Sequence, residues 1–224
     1  MLPVKIDVII RSSRRTLSLE ITQNAKLVVR APQRMPLRAI EQFIVRKQSW
    51  IADKQRFVRE RYAGVRPKVF ADGEQFLYLG NTYRLYIVHD SELPLHFNHA
   101  FFLSKDSISR ARELFVAWYE EQASVTIRKR VDWYAPLFGL KYNTFSVTRA
   151  QRLFGSCSAR NNLHFAWRLI MAPVPAIDYV VIHELAHITE KNHSRRFWTI
   201  VERMLPDYGQ GMHWLRDNGH LLVI

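Results

Sequence analysis

His183-Glu184-Leu185-Ala186-His187, with His193 six positions after the second histidine, decides how the rest of the chain is read. On an α-helix, residues four apart lie one above the other, so the rings of His183 and His187 can converge on one cation at about 2.0–2.1 Å. The helical period turns Glu184 about 100° from His183 and about 60° from His187, within reach of a water at such a cation without being forced onto it. That is the place for a general base. Catalytic zinc typically has three protein ligands and one position left for water, whereas four closed ligands mark a structural site. The preferred third ligand is His193, because Thr189-Glu190-Lys191-Asn192 is polar and can bend the chain back. Glu190, three residues after His187, and Glu202, on the amphipathic stretch Ser194 to Met204, compete for that place.

Five residues in this pattern also arise by chance on helix surfaces, so the context matters. Ile177-Asp178-Tyr179-Val180-Val181-Ile182 is apolar at helical spacing with Leu185, Ala186 and Ile188, and Pro173 or Pro175 supplies a helix start. The motif therefore sits on a buried helix. Two imidazoles and a carboxylate buried without partners are costly, and a divalent cation with its water removes that cost.

The string Val181 to His187, followed by Asn192-His193-Ser194 and Phe197-Trp198, resembles the YgjP-like family of metal-dependent hydrolases, which is related to WLM-type and SprT-like zinc proteases. Arg152-Leu153-Phe154-Gly155-Ser156-Cys157-Ser158 is similar to that family's Arg-Trp-Gly-Ser-Cys-Ser element, with Leu153-Phe154 where a single tryptophan is expected. Pro206-Asp207-Tyr208 and Arg14-Arg15-Thr16-Leu17-Ser18-Leu19 extend the likeness in both directions. The resemblance implies that His183, His187 and His193 bind zinc and that Glu184 is catalytic. The spacing to His193 also matches metzincins, but those have glycine where this chain has Glu190. A metzincin, and a Met-turn at Met204 or Met212, are therefore not assigned.

The 224 residues are 48% hydrophobic, enough for one sizeable core or two small ones. The opening Met1 to Asp7 carries charge too early for a secretory signal, and no run approaches the ~18–20 apolar residues of a membrane span, so the expected location is the cytoplasm. Cys157, the single cysteine, agrees with a reducing compartment. No spacing puts a base beside it. It reads as part of a tight bend packed near the metal helix rather than as a nucleophile.

The fold expected is α+β: an N-terminal β-rich region with one long helix over 1–104, then a zincin-like metalloprotease domain over 105–224, with a small antiparallel sheet and the H-E-x-x-H helix as active-site helix. Residues 3–31 suggest short antiparallel strands, with turns at Ser12-Ser13 and Gln23-Asn24. Leu37, Ile40, Ile44, Ile51 and Val58 suggest a single helix from Pro36 to Tyr62. Gly80-Asn81 is expected to join two strands as a hairpin. A further strand pair is expected between Leu95 and Leu103, and a second helix from Ser107 to about Trp133. Strands follow at Phe145–Val147 and at Leu163–Leu169, the latter after a turn at Asn161-Asn162 and expected to offer a free edge to an extended peptide.

The chemistry predicted is amide hydrolysis by a zinc metallopeptidase, with Glu184 as base and Tyr208, His213, Arg152 or Arg168 as possible oxyanion donors. The 33 Lys and Arg against 20 Asp and Glu give a net charge of +13, which favours anionic partners. Basic clusters lie at Arg11/Arg14/Arg15, from Arg46-Lys47 to Arg66-Lys68, at Arg128-Lys129-Arg130 and at Arg149/Arg152, with Trp50, Tyr62 and Trp133 close to some. DNA is thus a candidate partner beside the protein or peptide substrate, and the resemblance adds that WLM-type and SprT-like proteases act on DNA-bound protein. Dispersal of the charge along the chain favours a merely solvated surface. The alternative from another class is a metal-stabilised nucleic-acid-binding module without turnover, against which Glu184 argues, because a structural ion needs no base.

Overall fold

A computed structural model describes residues 4–89 and 91–224. The chain forms two compact units that divide between Arg66 and Pro67, rather than at the expected 104/105. The reason is the core: Phe70, Phe76, Leu85, Phe101 and Leu103 pack with Phe115 and Tyr119 of the following helix and with the motif helix, so the strands after Pro67 belong with the C-terminal helices.

In the first unit, β1 (Val8–Ser12), β2 (Ser18–Ile21) and β3 (Leu27–Pro32) form a sheet in the order β1-β3-β2. β2 and β3 are an antiparallel hairpin, but β1 runs parallel to β3, which corrects the all-antiparallel expectation. Alternating side chains reveal a face and carry no information about strand direction. The expected single helix is two, α1 (Leu37–Arg46) and α2 (Gln48–Tyr62). At Lys47 (φ −107°, ψ 10°) the N–H is shared between the carbonyls of Phe43 and Ile44, a local tightening to which the apolar period is insensitive. Ile40, Ile44 and Ile51 close on Leu27, Val29 and Ala31 as this unit's core.

The second unit opens with β4 (Gln75–Tyr78), β5 (Asn81–Val88), β6 (Leu95–Phe97) and β7 (Phe101–Ser104), ordered β4-β5-β7-β6. The hairpin turn is Leu79-Gly80, one residue earlier than expected, with φ of 49° and 80°. These positive values match a type I′ turn, which tolerates leucine poorly. The turn's N–H groups donate to the carbonyls of Ile170 and Met171 at 2.9 and 3.0 Å, anchoring it. A Cβ on Gly80 would lie 2.6 Å from the Cβ of Pro173, so the hairpin tip fits against the start of the next helix only as glycine.

A 3₁₀ turn over Lys105–Arg110 leads into α3 (Ala111–Leu137). Ala111, Phe115, Tyr119, Ala123, Ile127, Val131 and Ala135 recur every fourth residue as its buried stripe. β8 (Phe145–Thr148), β9 (Gly155–Cys157) and β10 (Leu163–Ala166) form a third sheet, ordered β8-β10-β9. It is mixed, not antiparallel as expected: β10 runs parallel to β8 and antiparallel to β9. β10 also ends at Ala166 instead of Leu169, because Trp167–Met171 coil into a buried 3₁₀ turn that receives the β4–β5 hairpin.

α4 (Val174–Thr189) starts after Pro173 as expected and carries the motif. α5 (Arg195–Met204) and α6 (Tyr208–Asn218) pack against it. α6 comes closest at Gly211, where a Cβ would stand 2.7 Å from the Cβ of Tyr179 and closer still to the Pro175 carbonyl oxygen. Since no side chain there can flex away from backbone, Gly211→Ala is expected to lower stability by about 1–3 kcal/mol. Thermal unfolding of the variant checks this, and an unchanged melting temperature would contradict the close approach.

Candidate metal centre

α4 is buried almost all round, with Ile177, Val181, Ile182, Leu185 and Ala186 inaccessible to solvent. One polar contact fixes it laterally: Arg130 of α3 donates from Nε and Nη2 to the two carboxylate oxygens of Asp178 at 2.5 and 2.6 Å, and from Nη2 to the Tyr134 hydroxyl at 3.1 Å. Asp178 is 7% exposed, so this bidentate pair supplies the counter-charge that its burial requires. Arg130, read from sequence as part of an exposed basic cluster, is largely occupied here.

After Thr189 the chain leaves the helix at Glu190, whose backbone is extended (φ −131°, ψ 112°). No left-handed residue is needed at this exit, which explains how glutamate stands where the metzincin path uses glycine. The Glu190 carbonyl oxygen lies 2.9 Å from His187 Nδ1. Asn192 Oδ1 accepts from the Ser194 N–H at 3.1 Å, and the Ser194 hydroxyl caps α5 by accepting from the Phe197 N–H. Between these two turns His193 is carried back towards α4.

The result is convergence. His193 Nε2 stands 2.9 Å from His183 Nε2, and each of the three histidines offers a ring nitrogen within 4.8 Å of the others. Phe197, fully buried, packs against all three rings at centroid distances of 4.9, 4.5 and 4.8 Å for His183, His187 and His193. The bond from His187 Nδ1 to the Glu190 carbonyl leaves Nε2 to face the other rings, an outer-sphere arrangement that fixes a ligand's tautomer.

Burial, and then the neighbouring His187 and His193, push the His183 imidazole down to about 4. His187 is lowered too, chiefly by burial. Rings held neutral near pH 7 keep lone pairs for a cation. Tetrahedral ligands at about 2.0–2.1 Å from an ion stand about 3.3 Å from each other. The 2.9 Å separation opens to that value with a small ring movement, so this donor set fits a divalent metal.

Glu184 lies on the same helix, 5% exposed, and burial raises its carboxyl to about 8. Its side chain rests on the backbone of Gly155 in β9, where a Cβ would come within 2.7 Å of Glu184 Cγ and Oε1. The competitors for third ligand are elsewhere. The Glu190 carboxylate is 4.0 Å from Arg196, and Glu202 is exposed on α5. Among the described residues the only group of this kind is His183, His187 and His193.

A cavity of about 580 Å³ opens over the triad. None of Tyr208, His213, Arg152 and Arg168 lines it; Tyr208 stacks on Tyr179 and Trp198 behind the rings, and Arg168 is buried over the Phe154 ring. Tyr179, Lys191, Met212 and Arg216 line it instead and were missed from sequence. Tyr179 was within reach, being one helical turn before His183 on the same face. Cys157 also lines the cavity. Burial raises its thiol, although the Lys191 ammonium, 3.7 Å from Sγ, opposes this.

Replacing His193 with alanine is expected to weaken zinc binding more than the ~10–100-fold typical of losing an outer-sphere partner, with Glu202→Ala unaffected. Competition against a chromophoric chelator measures both. Equal affinities in the two variants would contradict the assignment of the third corner.

The family model described as YgjP-like, metallopeptidase domain, matches residues 15–218 of this chain. A UTP pyrophosphatase of Escherichia coli (strain K12) is 35% identical over 65 residues. That match takes in 29% of this chain and 38% of the relative's length. The crystal structure of the metallopeptidase zymogen of Pyrococcus abyssi abylysin is similar at a TM-score of 0.38 and 18% identity, over 44% of this chain and 97% of that one.

Proposed function

The chain belongs to the YgjP-like metallopeptidase family, and from that premise we propose that it is a zinc-dependent peptidase in which His183, His187 and His193 hold the metal and Glu184 is the general base. The observation that carries this reading is the convergence of three imidazole nitrogens beside a buried carboxyl. Three imidazoles suit zinc among the common divalent ions, and three protein ligands leave a position for solvent. Zinc bound there supplies acidification of a water and polarisation of the scissile carbonyl.

The chain's own residues do the rest. Glu184, once ionised, is made a stronger proton acceptor by its burial, takes the proton of the attacking water on a carboxylate oxygen, and gives it up to the leaving amine. Gly155 leaves room for that carboxylate and Phe197 keeps the three rings in place. Lys191 brings positive charge to the cavity wall, which Arg216 also lines while paired with Asp217 at 2.8 Å.

The peptide path differs from the sequence expectation. β10 lies between β8 and β9 and has no free edge. β8 and β9 are the edge strands, and β9 is the one that packs on α4. The N–H of Ala166 donates to Phe154 and that of Ser158 to Asn162, so by antiparallel alternation Gly155 and Cys157 turn their backbone groups away from β10. A peptide added along this edge passes beside Glu184 and gains main-chain hydrogen bonds. The finer reading that substrate proteins are held on nucleic acid is supported by the net charge of +13. No helix among the described residues is long and apolar enough to cross a membrane.

A second reading, cleavage of a phosphoanhydride, is favoured by the name of the Escherichia coli relative together with Lys191 and Arg216 on the cavity wall. One experiment separates the two. Zinc-loaded protein is given unfolded casein or UTP, beside Glu184→Gln and Gly155→Ala. The expected result is cleavage of casein that Glu184→Gln abolishes with zinc content unchanged, and that Gly155→Ala lowers at least tenfold by displacing the carboxylate. Turnover of UTP without casein cleavage would transfer the site to the second reading. Zinc uptake with turnover of neither substrate would favour a metal-stabilised nucleic-acid-binding module.

A further inference from the structure

The positive charge is not evenly divided between the two units. Up to Arg66 the sequence holds 15 Lys and Arg against 5 Asp and Glu, whereas the longer remainder holds 18 against 15. The dispersed basic surface expected from the sequence is thus concentrated in the smaller unit. Within it, α1 and α2 carry Phe43, Lys47, Trp50, Lys54, Phe57 and Arg61, spaced alternately by four and three residues. Positions so spaced line one helical face, and aromatic and basic residues alternate strictly along it.

This face flanks the buried one, which gives Ile40, Ile44 and Ile51 of the same helices to the core. Trp50 is 42% and Phe57 49% exposed. The break at Lys47 does not interrupt the stripe, since Phe43, Lys47 and Trp50 line one shallow pocket of about 210 Å³ with Leu19. Farther along, the Lys54 ammonium and the Arg61 guanidinium both stand over the Phe57 ring, at 5.4 and 5.6 Å. Flat apolar rings beside cations suit bases stacked next to phosphates.

We propose that the α1–α2 face of the first unit binds single-stranded nucleic acid, with Trp50 and Phe57 as stacking platforms and Lys47, Lys54 and Arg61 on the phosphates. The inference develops the nucleic-acid part of the proposed function and does not depend on its chemistry. A second copy of this chain is a poorer occupant, because the stripe holds no acid and would meet like charge. A duplex offers phosphates and no exposed base faces, which leaves the exposed aromatics unused.

The test uses the full zinc-loaded chain and fluorescein-labelled dT20, alone or annealed to dA20, followed by anisotropy over a salt series. Binding of dT20 is expected to weaken at least tenfold in Trp50→Ala/Phe57→Ala, with duplex binding changed by less than twofold. In Lys47→Gln/Lys54→Gln the slope of log affinity against log salt should fall by about 1.4, or ~0.7 for each phosphate no longer neutralised. Quenching of tryptophan fluorescence by dT20, missing in Trp50→Phe, reports stacking without removing the aromatic face. The proposal is overturned if dT20 is not retained at low salt, or if the aromatic variant binds it as the parent does. It is also overturned if sedimentation shows parent dimers that the variants lose, which would assign the face to self-association. Inactivity of Glu184→Gln leaves all these readouts unchanged, so failure of the catalytic reading and failure of this one are distinguishable.

Discussion

Three imidazoles that each offer a ring nitrogen within 4.8 Å of the other two repel one another when protonated. Burial, with that repulsion added to it, holds His183 and His187 below the usual histidine range and keeps their ring lone pairs available to a shared cation. Without a cation this cluster is under-bonded, and with one the same geometry is satisfied. Every further feature of the site, from Phe197 against the rings to the Glu190 carbonyl behind His187, serves to keep that arrangement from relaxing.

The second unit is arranged around the same helix. The β4–β5 hairpin closes on the segment leading into α4, α6 presses a glycine against its first turns, and Arg130 neutralises the buried Asp178. A helix fixed at its start, its flank and its outer face positions His183, Glu184 and His187 with little freedom, as hydrolytic sites generally require. His193 arrives on a short, tightly hydrogen-bonded connection instead. Of the three rings it is the exposed one, and in the proposed zinc site it would be the ligand most easily displaced.

What could be read from sequence tracks the physics of each signal. The start of α4 was legible because proline at a helix entry and a strong apolar period both act locally. The path to His193 was only partly legible: spacing suggested a return, but the extended backbone at Glu190 is a tertiary outcome. Strand direction was illegible, so both the parallel pairing of β1 with β3 and the central place of β10 were missed. Alternation at Leu163–Leu169 was compatible with a strand throughout, although the hairpin tip claims the backbone groups of Ile170 and Met171 and the chain coils after Ala166. Lys191 and Arg216 could not be placed on the cavity wall from spacing, while Tyr179 could have been.

The two units thus divide the chain's chemistry, with the histidines in one and most of the net charge in the other. X-ray absorption at the zinc edge of the loaded protein tests the proposed histidine site of the second unit most directly. The account predicts three imidazole nitrogens and one light solvent atom in the first coordination sphere, falling to two imidazoles in His193→Ala. A sphere containing sulfur from Cys157, or four protein ligands with no solvent, would contradict it.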